Sequence, residues 1–122
     1  MLALSVAPAL AADGLHSDRP MGFFGEGHAS NHPHYDGLLN AKGNSCCNHA
    51  DCRPTTAHWV GDHWEFMVDG KWRRLSPGEE YKVITAEVLA AQHRQRWDSQ
   101  AHVCTTKNGV TIYCFMPPAS GG

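Results

Sequence analysis

Between Asn44 and Pro54 the chain reads NSCCNHADCRP, which sets Cys46, Cys47 and Cys52 around His49. Thiolate and imidazole are ligands for zinc and copper, and a thiol beside an imidazole is also the pair that nucleophilic catalysis uses. The third chemistry open to these residues is oxidation. With Cys104 and Cys114 the chain holds five cysteines, enough for two internal bridges and one thiol left over. Adjacent cysteines bridge one another only in a strained geometry, so Cys46 and Cys47 each look elsewhere. The favoured pattern ties one of Cys46 and Cys47 to Cys104 or Cys114, with Cys52 in the second bridge; the connectivity stays open. A thiolate metal centre of Cys46, Cys47, His49 and Cys52 lacks zinc-finger spacing and a second CxxC pair. A cysteine nucleophile would need His49, His58 or His102 as base, and nothing in the spacing joins them. There is no CxxC redox motif. The odd cysteine also permits a covalent dimer.

Nine histidines give a second source of chemistry. His28, His32 and His34 lie close together, with Glu26 and Asp36 nearby. In an extended segment His32 and His34 would share one face, an arrangement suited to chelating zinc or copper, with His49 extending the set. The plainer reading of such a Gly/His/Asn/Pro stretch is a solvated linker that holds no cofactor.

The elements that must position these groups are clearest from Thr55 to Leu75. Gly61-Asp62 suits a type II′ turn and Asp69-Gly70 a type I′ turn, which divide the stretch into three short strands. The two-residue loops set Trp59 opposite Trp64, Ala57 opposite Phe66, His58 opposite Glu65, Trp64 opposite Leu75 and Glu65 opposite Arg74. Alternation then puts Ala57, Trp59, Trp64, Phe66, Val68 and Leu75 on one buried face. His58, His63, Glu65, Met67, Trp72 and Arg74 fall on the other. Tyr81 to Ile84 reads as a fourth strand. Thr85 to Arg96 reads as a surface helix, with Thr85 as N-cap and Arg94 and Arg96 in its last turn. A last hairpin carries Cys104 and Cys114 around Asn108-Gly109. A two-residue loop there opposes Cys104 to Tyr113, and a three-residue loop opposes it to Cys114.

The start, MLALSVAPALAADG, is an apolar run ending in Ala9-Leu10-Ala11, the small-residue pattern of a signal-peptidase site, although no Lys or Arg precedes it. It falls well short of the ~20 apolar residues of a membrane span. Export implies an oxidising compartment, periplasmic or extracellular, where cysteines pair. Leu, Ile, Val and Phe make up only 17 of the 111 residues after Ala11, below the ~20% at which chains begin to look disordered. Four tryptophans and a net charge of −2 argue for a fold all the same, one that leans on aromatics and covalent staples. That charge gives no electrostatic case for nucleic acid. No phosphate loop, GxSxG elbow or HExxH motif is present, so the sequence favours a non-enzymatic protein.

The run HYDGLLNAKGNSCCNHADCRP, then WEFMVDGKW, AHVC and YCFMPP, resembles a group of small exported proteobacterial proteins with an SCCNxxDCRP…DGKW…AHxC…CFxPP pattern. The likeness spans roughly residues 34 to 118. It implies an exported, stapled small fold and no particular reaction. The histidine-bearing arm before His34 and the stretch TAEVLAAQHRQRW depart from the pattern.

Together these readings predict a signal segment at 1–11, a Gly/His-rich extended arm at 12–45, a stapled domain at 46–118 and a loose tail at 119–122. The fold expected is mainly β, an antiparallel meander or small, partly open barrel with one short helix, held by disulfides. The function expected is binding of a protein or small ligand through Met67, Trp72 and Arg74 on the outer meander face. The alternative is transition-metal handling by the arm.

Overall fold

The computed structural model describes residues 27–47 and 50–119. The signal segment expected at 1–11, residues 12–26 of the expected arm, residues 48 and 49 with the candidate ligand His49, and residues 120–122 lie outside the described residues.

The chain forms α1 (His28–Tyr35), β1 (Asp51–Thr55), β2 (Ala57–Val60), β3 (His63–Val68), β4 (Lys71–Arg73), α2 (Ala86–Ala91), β5 (Ala101–Thr105) and β6 (Ile112–Met116). The strands make two antiparallel three-stranded sheets, ordered β1-β5-β6 and β2-β3-β4, and do not close into a barrel. β2–β4 are the meander that the turn residues predict. Trp59 pairs with Trp64, Ala57 with Phe66 and His58 with Glu65. Val68 pairs with Lys71 and Met67 with Trp72, in the register that Asp69-Gly70 dictates. Both Asp69 and Gly70 have positive φ, as a type I′ turn requires, whereas in the first turn only Gly61 does. The second ladder stops at Arg73, so the strand pairings of Leu75 with Trp64 and of Arg74 with Glu65 are not made.

The β1-β5-β6 sheet is the middle layer. β5 is buried along its whole length. Ala101, Val103, Ile112 and Phe115 face the meander and pack on Phe66 and Val68, with Ala57, Trp64 and Leu75 at the margin. Cys104, Cys114 and Met116 face the other way, into a core of Tyr35, Leu38, Cys46, Cys52, Ile84 and Leu89. The side chains of β6 break strict alternation, because Tyr113 and Cys114 both join this second core. The register explains it. Thr105 opposes Ile112 but Cys104 opposes Cys114, so Tyr113 is the extra residue of a bulge. The hairpin keeps a two-residue-loop register near its tip, and the bulge converts it into the Cys104–Cys114 pairing beyond.

Two bridges close the second core, Cys46–Cys114 and Cys52–Cys104. Both fit the pattern expected from the sequence, and Cys47 is the thiol left over. They cross-link residues 68 and 52 apart, each contributing very roughly 2–4 kcal/mol by restricting the unfolded chain.

Three elements differ from expectation. Tyr81 to Ile84 is a 3-10 turn at Glu80–Lys82 followed by one parallel bridge, Val83 to Phe115, rather than a strand. α2 keeps its Thr85 cap, whose hydroxyl accepts from the Val88 N–H, but ends at Ala91. His93 there adopts φ 61°, with bonds from His93 N–H to the Ala90 carbonyl and Arg94 N–H to the Leu89 carbonyl. That is a Schellman stop with histidine where glycine is usual. α1 is a second helix, where the sequence suggests an extended arm. It starts at Gly27, whose φ of 86° and approach to the Pro54 ring exclude a Cβ.

Candidate functional site

The arm histidines are drawn into the fold by α1. His28 is fully buried, and its Nδ1–H donates to the Cys52 carbonyl oxygen. His32 lies one helical turn on, its ring centroid 5.5 Å from that of His28. His34 stacks on Trp97 with centroids 4.8 Å apart. On a helix His32 and His34 project in different directions, so the shared face of the extended reading is absent. Among the described residues no three or more His, Cys, Asp or Glu side chains are placed to share a metal ion. Arg94 donates to the carbonyls of His34 and Asp36 at the end of α1, and the Trp97 indole N–H donates to Asn31 Oδ1.

Beneath α1 runs a buried polar chain that the sequence reading misses. Tyr35 O–H donates to His102 Nδ1 at 2.8 Å, and His102 Nε2–H donates to Asp98 Oδ1 at 2.9 Å. Both hydrogen bonds are satisfied by one tautomer of the neutral imidazole. Burial pushes the His102 pKa down against the opposing pull of Asp98, in keeping with a neutral ring. A carboxylate–imidazole–hydroxyl chain is the arrangement of a nucleophile and its base, yet Tyr35 has no exposed surface. The chain therefore anchors α1 to β5.

Cys47 is half-buried. Burial, then the nearby carboxylates of Asp36 and Asp51, raise its pKa, so the thiol is held away from the thiolate that nucleophilic attack needs. Asp51 is itself pushed up to about 6, chiefly by burial and against the pull of Arg53 and Lys107.

The outer meander face carries the cluster that the register predicts. His58 Nε2 lies 3.5 Å from Glu65 Oε1, and His63 Nε2 lies 3.3 Å from Glu65 Oε2, with His63 Nδ1 3.0 Å from Asp62 Oδ1. Hydrogen bonding from His63 is the main cause that lowers the pKa of both Glu65 and Asp62. Trp72, 44% exposed, stacks on His58 at 4.2 Å and is paired with Met67.

Arg74 is separated from that pair. Once β4 ends, Arg74 turns to the rim of a cleft of about 310 Å³, lined also by Trp59, Asp62, His63, Trp64, Phe66, Leu75, Ser76, Pro77, Glu80, Val83 and Phe115. Its floor is Phe66 and Phe115, both fully buried and stacked at 4.3 Å. Its wall is an edge-to-face pair, Trp59 and Trp64, with centroids 5.5 Å apart and planes at 81°. Trp59 belongs to the meander face read as buried, yet it is 52% exposed. The reason is its place on the strand. It sits one residue from the end of β2, past the part of the meander that packs on the central sheet. The nearby Gly61-Asp62 turn is the sequence signal for that position.

No protein-family profile, curated protein or solved structure matches the chain.

Proposed function

We propose that the protein is an exported, non-enzymatic binding domain whose ligand site is the Trp59–Trp64 cleft. The reading rests on Trp59, a large aromatic half exposed over a concave, rigid floor. A pocket of a few hundred Å³ with apolar walls and a few polar groups at its mouth is the usual form of a small-ligand site. The stacked Phe66–Phe115 pair holds such a site in shape before the ligand arrives, which lowers the ordering cost of binding, while two disulfides staple the opposite face of the central sheet. The same staples suit an oxidising compartment, and no helix among the described residues is long and apolar enough to cross a membrane. On the outer face Trp72 is already covered on one side by His58, so the patch of Met67 and Trp72 takes second place.

The experiment is a small-fragment screen read on the indole N–H resonances of the four tryptophans. Hits that move Trp59 and Trp64 and vanish with Trp59→Ala support the cleft. Hits confined to Trp72 would transfer the site to the outer face, and no hits at either would leave binding at this meander without support.

A further inference from the structure

The cleft also carries information about what it would hold. Its polar rim consists of Asp62, His63, Arg74, Ser76 and Glu80. These include both signs of charge, and the charges are answered locally. Asp62 takes a contact from His63 and feels the nearby Arg74 guanidinium, which together help lower its pKa. Glu80 accepts from the Gly78 backbone N–H through both carboxylate oxygens. Arg74 donates to the Leu75 carbonyl at 3.4 Å. An anion would meet Asp62 and Glu80, and a cation would meet Arg74; the two carboxylates outnumber the guanidinium by one, but each already has a partner within the cleft's own loops. The rim therefore selects ions only weakly. It offers hydrogen-bond donors and acceptors, interleaved at the edge of an aromatic wall.

The wall has a definite shape. Because the indoles meet edge to face, the exposed ring of Trp59 presents a flat surface beside the perpendicular edge formed with Trp64. Trp64 in turn leans on Phe115 at 6.0 Å, so the corner is backed by the core. A ligand that fits is a ring with one flat apolar face for the indole and hydroxyl groups around its circumference for the rim. A cleft of about 310 Å³ lies at the low end of ligand-pocket sizes, matched to a small ring or the end unit of a chain of them.

We infer that the Trp59–Trp64 cleft takes a neutral sugar, with one pyranose ring stacked on Trp59 and its hydroxyls bonded to the groups at the rim. This inference rests on the cleft being the ligand site. Its test uses the full chain with both disulfides formed and titrates six probes separately. Four are neutral sugars: methyl β-glucopyranoside, methyl β-galactopyranoside, N-acetylglucosamine and its β-1,4-linked trimer. The other two are choline and benzoate, a cation and an anion of similar size. The readouts are the indole N–H shifts of Trp59 and Trp64 and the quenching of tryptophan fluorescence.

The expected result is saturable binding of at least one sugar, tighter than either ion. Trp59→Ala should weaken it roughly tenfold or more, since an aromatic face contributes energy on that scale. Arg74→Gln should weaken it less, while Trp72→Ala should leave it unchanged. Binding of choline or benzoate at Trp59 without any sugar would overturn the ligand class but leave the cleft as the site. Silence from all six probes, with the fold intact by circular dichroism, would overturn the sugar assignment and count against the cleft as well. Sugar binding that survives Trp59→Ala would overturn the placement.

Discussion

The two faces of the β1-β5-β6 sheet are built on different principles. One is covered by α1, α2 and the cysteine block, with both disulfides and the Tyr35–His102–Asp98 chain inside it. The other is covered by the meander with no covalent link, through Phe66, Val68, Val103 and Phe115. The first side is tied down and encloses its polar groups. The second is held by aromatic stacking and leaves Trp59 in solvent over a cleft. A chain short of aliphatic residues can stiffen one side of a sheet with cysteines and keep its aromatics for the other, where they serve as core and as contact surface together.

The comparison breaks most severely at Phe115. Its ring stacks on Phe66 and supports Trp64, so Phe115→Ala should cost about 3–5 kcal/mol. It should also collapse the cleft floor, and chemical denaturation followed at the tryptophans measures both. On the opposite side, replacing Cys52 and Cys104 together by serine should cost about 2–4 kcal/mol. The cleft should survive that change if the meander side is independent of the staples. Loss of ligand response in the Cys52→Ser, Cys104→Ser protein below its unfolding midpoint would show that the two sides are one mechanical unit. Cys47→Ser, by contrast, should stay within about 0.5 kcal/mol of the parent.

Acidity separates the sides further. His102 has a pKa held below its unfolded value, so between the two values the unfolded chain binds more protons. Its contribution is complete above the unfolded value of about 6.5 and is lost as the pH falls through the depressed folded value. Asp51 acts in the opposite sense. Its folded pKa of about 6 lies above the model value of 3.8, so its contribution is greatest in acid and is lost as the pH rises through about 6. Asp51→Asn should therefore raise stability near neutrality relative to the parent and change little at low pH. His102→Gln should remove the acid-side loss while weakening the anchor of α1. Unfolding free energies measured across this range in both variants check the signs.

What the sequence reveals follows the same division. The meander is legible because its order is local: Gly61-Asp62 and Asp69-Gly70 fix turn type and register within 21 residues, from Thr55 to Leu75. The outer cluster of His58, His63 and Glu65 follows directly from that register. α1 is not legible, because HASNHPHY has no apolar stripe and contains Pro33. What makes it helical comes from far along the chain, namely Arg94, Trp97 and His102. β1 hides for a related reason. DCRPT resembles a loop, but an edge strand tolerates Pro54. The Cys46–Cys114 bridge depends on the Tyr113 bulge, which no local residue type announces. The cleft is half legible. Its tryptophans and turn can be read from the sequence, whereas Glu80, Val83 and Phe115 reach it only through tertiary packing.

The stop of α2 provides a finer probe of the stapled side. His93 holds a left-handed conformation that glycine adopts without a Cβ penalty. His93→Gly should raise stability by about 0.5–1 kcal/mol, reduced by the extra freedom glycine gives the unfolded chain. An unchanged or lower melting temperature would mean that the histidine side chain makes up for its backbone strain.

One small expected change in stability is the one that matters most for function. Trp59 is half exposed, and its indole meets Trp64 at an edge rather than within the sealed core. Trp59→Ala should therefore alter stability by less than about 1 kcal/mol, well below the cost of a buried aromatic. Trp64→Ala should cost clearly more, because Trp64 packs against the Phe66 and Phe115 cluster. If Trp59→Ala instead destabilises the protein as much as Trp64→Ala, Trp59 is a structural residue of the meander and its exposure is incidental. If stability holds while ligand response disappears, the tryptophan that the fold can spare is the one the ligand needs. The contrast between the two faces of the central sheet then becomes a division of labour between scaffold and site.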